Sequence, residues 1–205
     1  MSEPAVHASG LAAHPAAPPG QGQLGPLVEA FDTRCDELLE QLRGNPIADR
    51  LFTTASHVGD FSLVWHAIGI VRGLTRGRPD QIVALAVSLG VESLVVNQGV
   101  KRLFRRQRPT SSGDERLQVR TPTTSSFPSG HASSATFAAT LLSRWDAGRP
   151  GLVPWGSVWW AVAAVVGISR AYVRIHHASD VVGGAVVGRL LGLVAWRAVR
   201  RLRLR

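Results

Sequence analysis

Residues 169–196 read SRAYVRIHHASDVVGGAVVGRLLGLVAW. The second half, 181–196, holds 16 residues and one charge, Arg189. Gly184, Gly188 and Gly192 recur every four residues, so they share one helix face. Small residues at this spacing let membrane helices approach closely. The first half carries Ser169, Arg170, His176 and Asp180 just before the apolar run begins. The stretch is therefore read as an apolar helix with reactive side chains gathered at its N-terminal end.

Other apolar runs lie upstream. Residues 82–100 number 19 with one charge, Glu92, and residues 152–168 number 17 with none. Residues 61–71 are shorter, and 132–142 are mostly small. A bilayer crossing takes about 20 mainly apolar residues, with about 17 as the lower limit. If the five runs cross in turn, the loop with Arg72, Arg76 and Arg78, the loop with Arg144 and Arg149, and the tail with Arg197, Arg200, Arg201, Arg203 and Arg205 share one side. The positive-inside rule makes that side cytoplasmic. Loops 101–130 and 170–180 then face outward. Glu92 lies as far inside Lys101 as Arg189 lies inside Asp180, so the two charges fall at similar depth and are expected to pair.

Before these runs, Leu27, Phe31, Cys35, Leu38 and Leu42 fall on one helical face, with Glu29, Asp32, Asp36, Glu37 and Glu40 elsewhere. This predicts an amphipathic helix over 27–43, ended by Gly44-Asn45-Pro46. Its acidic face argues against anionic lipid and for packing on the rest of the protein. Residues 1–26, rich in Ala, Pro and Gly, read as a disordered tail without the pattern of a signal peptide.

The 205 residues suit one domain with a tail. With 23 basic and 14 acidic side chains the net charge is +9. Such a balance suggests nucleic acid, anionic lipid or a phosphorylated ligand. The single cysteine, Cys35, excludes an internal disulfide and a thiolate zinc cluster. A mean hydropathy of +0.08 is too apolar for a disordered basic chain. Lys101 is the only lysine.

Three clusters stand where apolar runs meet the outer loops. Residues 101–109 read KRLFRRQRP, with five cations in the first eight positions. Taken alone, this is a snorkelling girdle or a lipid head-group contact, because like charges so close need an anion between them. Residues 127–131, FPSGH, lead into a helix of small residues. A helix start offers free N–H groups, Ser129 a hydroxyl, and Gly130 room for close approach, which together make an anion cradle. A plain helix cap is the alternative. In the third cluster His176 and Asp180 are four apart and share a helix face. Asp180 can accept from one ring nitrogen and leave the other free as a nucleophile. Taken alone, this pair also reads as a structural cap.

The three clusters together resemble the signatures of the type 2 phosphatidic acid phosphatase superfamily. Lys101, six residues, Arg108-Pro109 resembles the first. Pro128-Ser129-Gly130-His131 resembles the second. Ser169-Arg170, five residues, His176, three residues, Asp180 resembles the third. The resemblance implies an all-α bundle of the six-helix type, here an integral membrane protein of about five spans with the 27–46 helix in place of the first. The phosphatase domain would cover 47–205. It implies His176 as the nucleophile that forms a phosphohistidine, Asp180 as its orienting partner, and His131 as the proton donor to the leaving oxygen. Lys101, Arg108, Ser129, Gly130 and Arg170 would hold the phosphoryl oxygens. No metal or other cofactor is implied, because the cations supply the positive charge.

The expected activity is therefore metal-independent hydrolysis of a phosphomonoester or pyrophosphate on a membrane lipid: phosphatidate, phosphatidylglycerophosphate or an isoprenyl (pyro)phosphate. The active site is expected on the extracytoplasmic side of the cell membrane, and no nucleic-acid partner is expected. One alternative is a cytoplasm-facing phosphatase of a decaprenyl-phosphoryl-phosphoribose type of intermediate. Another is a non-catalytic anion-binding membrane protein. The related vanadium haloperoxidases are soluble and longer. His177 is expected at the rim. Arg102, Arg105, Arg106, Arg116 and Arg120 are expected either to guide an anionic head group or to be solvated.

Overall fold

A computed structural model describes residues 23–109, 117, 119, 124–147 and 154–202. They form seven α-helices and, among the described residues, no strand: α1 (Pro26–Glu40), α2 (Pro46–Val58), α3 (Leu63–Thr75), α4 (Pro79–Leu94), α5 (Gly130–Trp145), α6 (Trp155–Tyr172) and α7 (Ala178–Arg201). Most of the expected tail, Arg116, Arg120, Arg149, Arg203 and Arg205 lie outside the described residues.

The expected six helices become seven because α2 was not anticipated. α1 ends at Glu40, three residues short of the expected 43, and Asn45-Pro46 starts the next helix. The Asn45 side chain accepts from the Ile47 and Ala48 N–H groups at 3.0 and 3.2 Å, and Pro46 stands in the first turn.

The short run at 132–142 becomes the central helix. In α5 every residue from Ala132 to Leu142 is buried. The glycine face of α7 meets it: a Cβ on Gly184 would strike the Ser129 carbonyl, and one on Gly188 the Ser133 carbonyl. Small residues on both helices thus bring two backbones into contact.

Outside this centre the apolar residues turn outward. Val83, Val87, Val91 and Leu94 of α4 and Val182, Val186, Leu190 and Val194 of α7 are all exposed, while Ala84, Leu85 and Leu89 of α4 are buried. A helix that is apolar on both faces suits a hydrocarbon solvent. Among the described residues two helical stretches, Pro79–Leu103 and Ala178–Arg201, are long and apolar enough to cross a membrane by themselves. At the end of the bundle holding the 72–78 loop, Arg72 binds Asp146 at 2.8 Å and lies over Trp145. Trp159 donates to the same carboxylate at 2.9 Å.

The N-terminal helix packs on the protein as expected, but the opposite way round. Its acidic face turns inward: Asp32 is 5% exposed, and Asp36 and Glu40 bind Arg43 and Arg174. Leu27, Phe31, Leu38 and Leu42 face out. The basic side chains of the 101–109 segment and of the loop before α7 draw the carboxylates in, so charge rather than apolar burial sets the orientation.

The Glu92–Arg189 pair does not form. Glu92 is buried and accepts from the Ser133 hydroxyl, whereas Arg189 lies on the exposed side of α7 with its guanidinium 4.8 Å from the centre of the Trp160 ring. Equal depth did not bring equal rotation about the two helix axes. Arg189→Leu should therefore cost no more than about 1 kcal/mol of thermal stability in detergent, the worth of an exposed cation–π contact. A broken buried pair would cost about 3–5 kcal/mol.

Candidate active site

Five segments converge at one end of the bundle: the turn Asp60–Ser62 before α3, the far end of α4, the start of α5, the end of α6 and the loop before α7. They enclose a cavity of about 560 Å³ whose wall includes Asp60, Lys101, Arg108, Gly130, His131, Arg170 and His176.

Each cation has its own support. Beyond Leu94 the α4 helix widens into a π-turn, Val95–Gly99, and then tightens into a 3₁₀ turn, Val100–Leu103. Such changes of pitch re-aim side chains and are frequent at functional sites. Here they bring Lys101, 7% exposed, into the cavity. A Cβ on Gly130 would stand 3.8 Å from the Lys101 ammonium and 3.5 Å from Asn97 Oδ1, so a larger residue at 130 would fill the space beside the charge. Arg108 donates to the carbonyls of Ile175 and Ser125 at 3.1 and 3.2 Å. Burial lowers its pKa to about 10, which still leaves it charged at neutral pH. Arg170 donates to the Ser56 carbonyl at 3.3 Å and to the Ser56 hydroxyl, while its buried Nε–H has no acceptor among the described residues.

The hydrogen bonds fix the state of His176. Arg108 Nη1 lies 3.0 Å from His176 Nε2. A guanidinium can only donate, so Nε2 accepts and its lone pair faces the cations. The ring proton is then on Nδ1, which lies 3.4 Å from Ser126 Oγ and 3.6 Å from Asp180 Oδ2. Burial, reinforced by Arg108, pushes the His176 pKa down to about 3, so the ring is neutral at physiological pH.

Asp180 is fully buried behind this histidine. Its Oδ2 accepts from Ser126 Oγ at 2.5 Å and from the His177 N–H at 2.9 Å, and its Oδ1 accepts from Arg106 at 2.7 Å. The second of these bonds caps α7, so one carboxylate serves both as helix cap and as neighbour of His176. On the opposite wall, His131 Nε2 lies 3.0 Å from Asp60 Oδ1. Among the described residues no group of three or more His, Cys, Asp and Glu side chains is placed to hold a metal ion.

A family model described as the PAP2 superfamily matches residues 81–204. The chain belongs to the PAP2 superfamily. It is 33% identical over 141 residues to a decaprenylphosphoryl-5-phosphoribose phosphatase of Mycobacterium tuberculosis, a match covering 68% of this chain and 73% of that one. Its fold is similar to the transmembrane PAP2 type phosphatidylglycerolphosphate phosphatase of Bacillus subtilis, with a TM-score of 0.66 and 22% identity over 89% of this chain and 90% of that one. It is also similar to Aquifex aeolicus LpxE, with a TM-score of 0.64 and 22% identity over 82% and 95% of the two chains.

Within this PAP2 site, six of the eight expected residues line one cavity: Lys101, Arg108, Gly130, His131, Arg170 and His176. Asp180 stands directly behind. Ser129 departs from expectation. It is fully buried, does not line the cavity, and its hydroxyl accepts from the Ala132 N–H at 3.4 Å as the cap of α5. Arg106 departs further. It is 4% exposed and bridges Asp180 to Asp32 of α1, the latter at 2.6 Å, so no head group can reach it. His177 is buried rather than at a rim, whereas Arg102 and Arg105 are exposed.

Sequence alone gave Ser126 and Asp60 no role at the PAP2 site, and put Asp32 on the polar face of an amphipathic helix and Arg106 at a head group or in solvent. Ser126 had a signal in its place two residues before the Pro-Ser-Gly-His turn. Asp60 had only its place, one residue before the 61–71 apolar run.

Proposed function

We propose that this PAP2 enzyme hydrolyses the phosphomonoester of a polyprenyl-linked sugar phosphate in two steps through His176. Its activity is that of a lipid phosphatase at a membrane, and the proposal concerns the route and the substrate. The carrying observation is the Nε2 lone pair of a neutral His176, held in a cavity whose wall includes Lys101, Arg108 and Arg170.

Phosphoryl transfer needs charge on the equatorial oxygens neutralised, a nucleophile in line and a proton for the leaving oxygen. The three cations and the Gly130 N–H meet the first need. Nε2 of His176 attacks phosphorus, Asp180 and Ser126 steady its Nδ1 proton, and His131 protonates the leaving oxygen. Water then enters against His131 and releases phosphate from the phosphohistidine. A binding protein would need the cations but not a neutral histidine between them.

The mycobacterial relative supports a lipid-linked sugar phosphate as the leading substrate. Charge supports an extracytoplasmic site: Arg72, Arg76, Arg78, Arg144, Arg197, Arg200 and Arg201 belong to the cationic loops and tail that share the opposite side if the five apolar runs cross in turn. Labelling of a cysteine placed in the 110–120 loop of intact cells tests this sidedness.

Phosphate release from a detergent panel tests the substrate. Decaprenylphosphoryl-5-phosphoribose should exceed phosphatidylglycerophosphate, phosphatidate and isoprenyl pyrophosphate by about tenfold in kcat/KM, and turnover should persist in EDTA. Faster release from the pyrophosphate overturns the substrate. Loss in EDTA that magnesium restores overturns the mechanism.

A further inference from the structure

Asp60 is the unexpected member of the cavity wall. It puts a carboxylate among Lys101, Arg108 and Arg170, where an incoming phosphate would be repelled. It belongs to none of the three signatures. An anion in an anion site needs a partner that outweighs this repulsion, and the partner is His131. Asp60 Oδ1 lies 3.0 Å from His131 Nε2, with side-chain exposures of 31% and 16%.

The chain is shaped to hold this contact. Phe61 and Ser62 both have positive φ, 51° and 59°. Two consecutive non-glycine residues in the left-handed region are uncommon, and such strain gathers at functional sites. Gly59 makes room for the ring: a Cβ there would lie 2.8 Å from His131 Cδ2 and 3.1 Å from a Val166 methyl. His131 Nδ1 has no partner among the described residues and is not among the buried, sealed polar atoms. One ring nitrogen is thus tied to a carboxylate and the other is left open.

We propose that Asp60 is the positioning residue of the acid–base histidine, accepting the Nε2 proton of His131 so that Nδ1 carries out the proton transfers. This rests on the reading of His131 as the acid and base of the reaction. In the first half, the His176 Nε2–phosphorus bond forms and the bond from phosphorus to the leaving oxygen breaks. The Nδ1 proton of His131 goes to that oxygen. In the second half, a water oxygen bonds to phosphorus, its proton goes to His131 Nδ1, and the phosphorus–nitrogen pair returns to His176. Asp60 keeps the Nε2 proton in its bond throughout and stays ionised.

The charges around the pair suit this role. Lys101 from the end of α4 and Arg170 from α6 face His131, and Arg170 and His57 of α2 face Asp60. Burial and these two cations hold the His131 pKa below the ordinary histidine value, and the Asp60 carboxylate works the other way. The hydrogen bond from His131 holds the Asp60 carboxyl below its ordinary range, with burial acting the other way.

The test compares leaving groups. An alkyl phosphate needs its leaving oxygen protonated, whereas p-nitrophenyl phosphate does not. Asp60→Asn should lower kcat/KM, which reports the leaving-group step alone, about 100-fold on the alkyl ester and less than about threefold on the nitrophenyl ester. The alkaline limb of the alkyl-ester profile should move down by about one pH unit, because the imidazolium loses its carboxylate. Asp60→Glu should recover part of the alkyl-ester rate with the limb restored. Equal losses on both esters, an unmoved limb, or no loss at all would overturn the proposal. His176→Ala, assayed beside it, separates the two readings: full activity in that variant would remove the parent mechanism, whatever Asp60 does.

Discussion

His176→Ala should release no measurable phosphate while remaining folded, a loss of at least about 10⁴-fold in kcat. The nucleophile has no neighbour able to replace it. His131 is tied to Asp60 on the opposite wall, and His177 is buried and off the cavity wall. The fold should survive because the surrounding groups keep other partners. Arg108 retains the Ile175 and Ser125 carbonyls. Asp180 retains Ser126, the His177 N–H and Arg106. Phosphate release and a thermal midpoint on the same preparation check both halves, and near-normal turnover would end the phosphohistidine route.

The same residue sets a sign for acid stability. Burial lowers the His176 pKa from 6.5 to about 3. Between these values the unfolded chain binds a proton that the folded chain refuses, so stability falls as pH drops through that window. The contribution is whole above pH 6.5 and declines by at most about 1.4 kcal/mol per pH unit below it. His176→Ala should flatten this part of the midpoint-against-pH curve. An unchanged slope would mean that other groups carry it.

What the sequence could announce depended on range. Lys101, Arg108, His131, Arg170, His176 and Asp180 were legible through the three signatures they resemble, which set residue types at fixed local spacing. The glycine face of α7 was legible because a helix repeats every four residues. The rotation of α1 was not, because its apolar stripe obeyed the ordinary rule for soluble helices. That rule gives way when the face that meets the protein meets arginines, because paired charge then outweighs apolar burial. Ser129 illustrates a further limit. Its position offered both a cap and a phosphate contact, and only the fold showed the hydroxyl buried and accepting from the Ala132 N–H. Glu92 and Arg189 were matched by depth, which a linear count gives, and separated by rotation, which it does not.

Arg106 shows the strongest dependence on long-range structure, and it carries the largest expected loss of stability. Its two carboxylate partners lie 74 residues away in opposite directions along the chain. From sequence it was one of several loop arginines available to a head group. In the fold its side chain is 2% exposed between Asp32 at 2.6 Å and Asp180 at 2.7 Å, with Ser179 also accepting from it. Arg106→Met would leave two buried carboxylates without their shared cation. Removing one partner of a buried pair costs about 3–5 kcal/mol, chiefly through the charge left behind. A clear fall of the thermal midpoint is expected, together with a lower kcat, because Asp180 would be free to turn away from His176 and Ser126. Arg106→Lys should recover little, since one ammonium cannot reproduce a fork that bonds to both carboxylates. Arg105→Met, on an exposed neighbour, should leave the midpoint unchanged. A head-group guide would give the opposite pattern. Substituting it would raise KM for anionic lipid, leave the midpoint alone and be largely repaired by lysine, so that result would remove Arg106 from the support of Asp180.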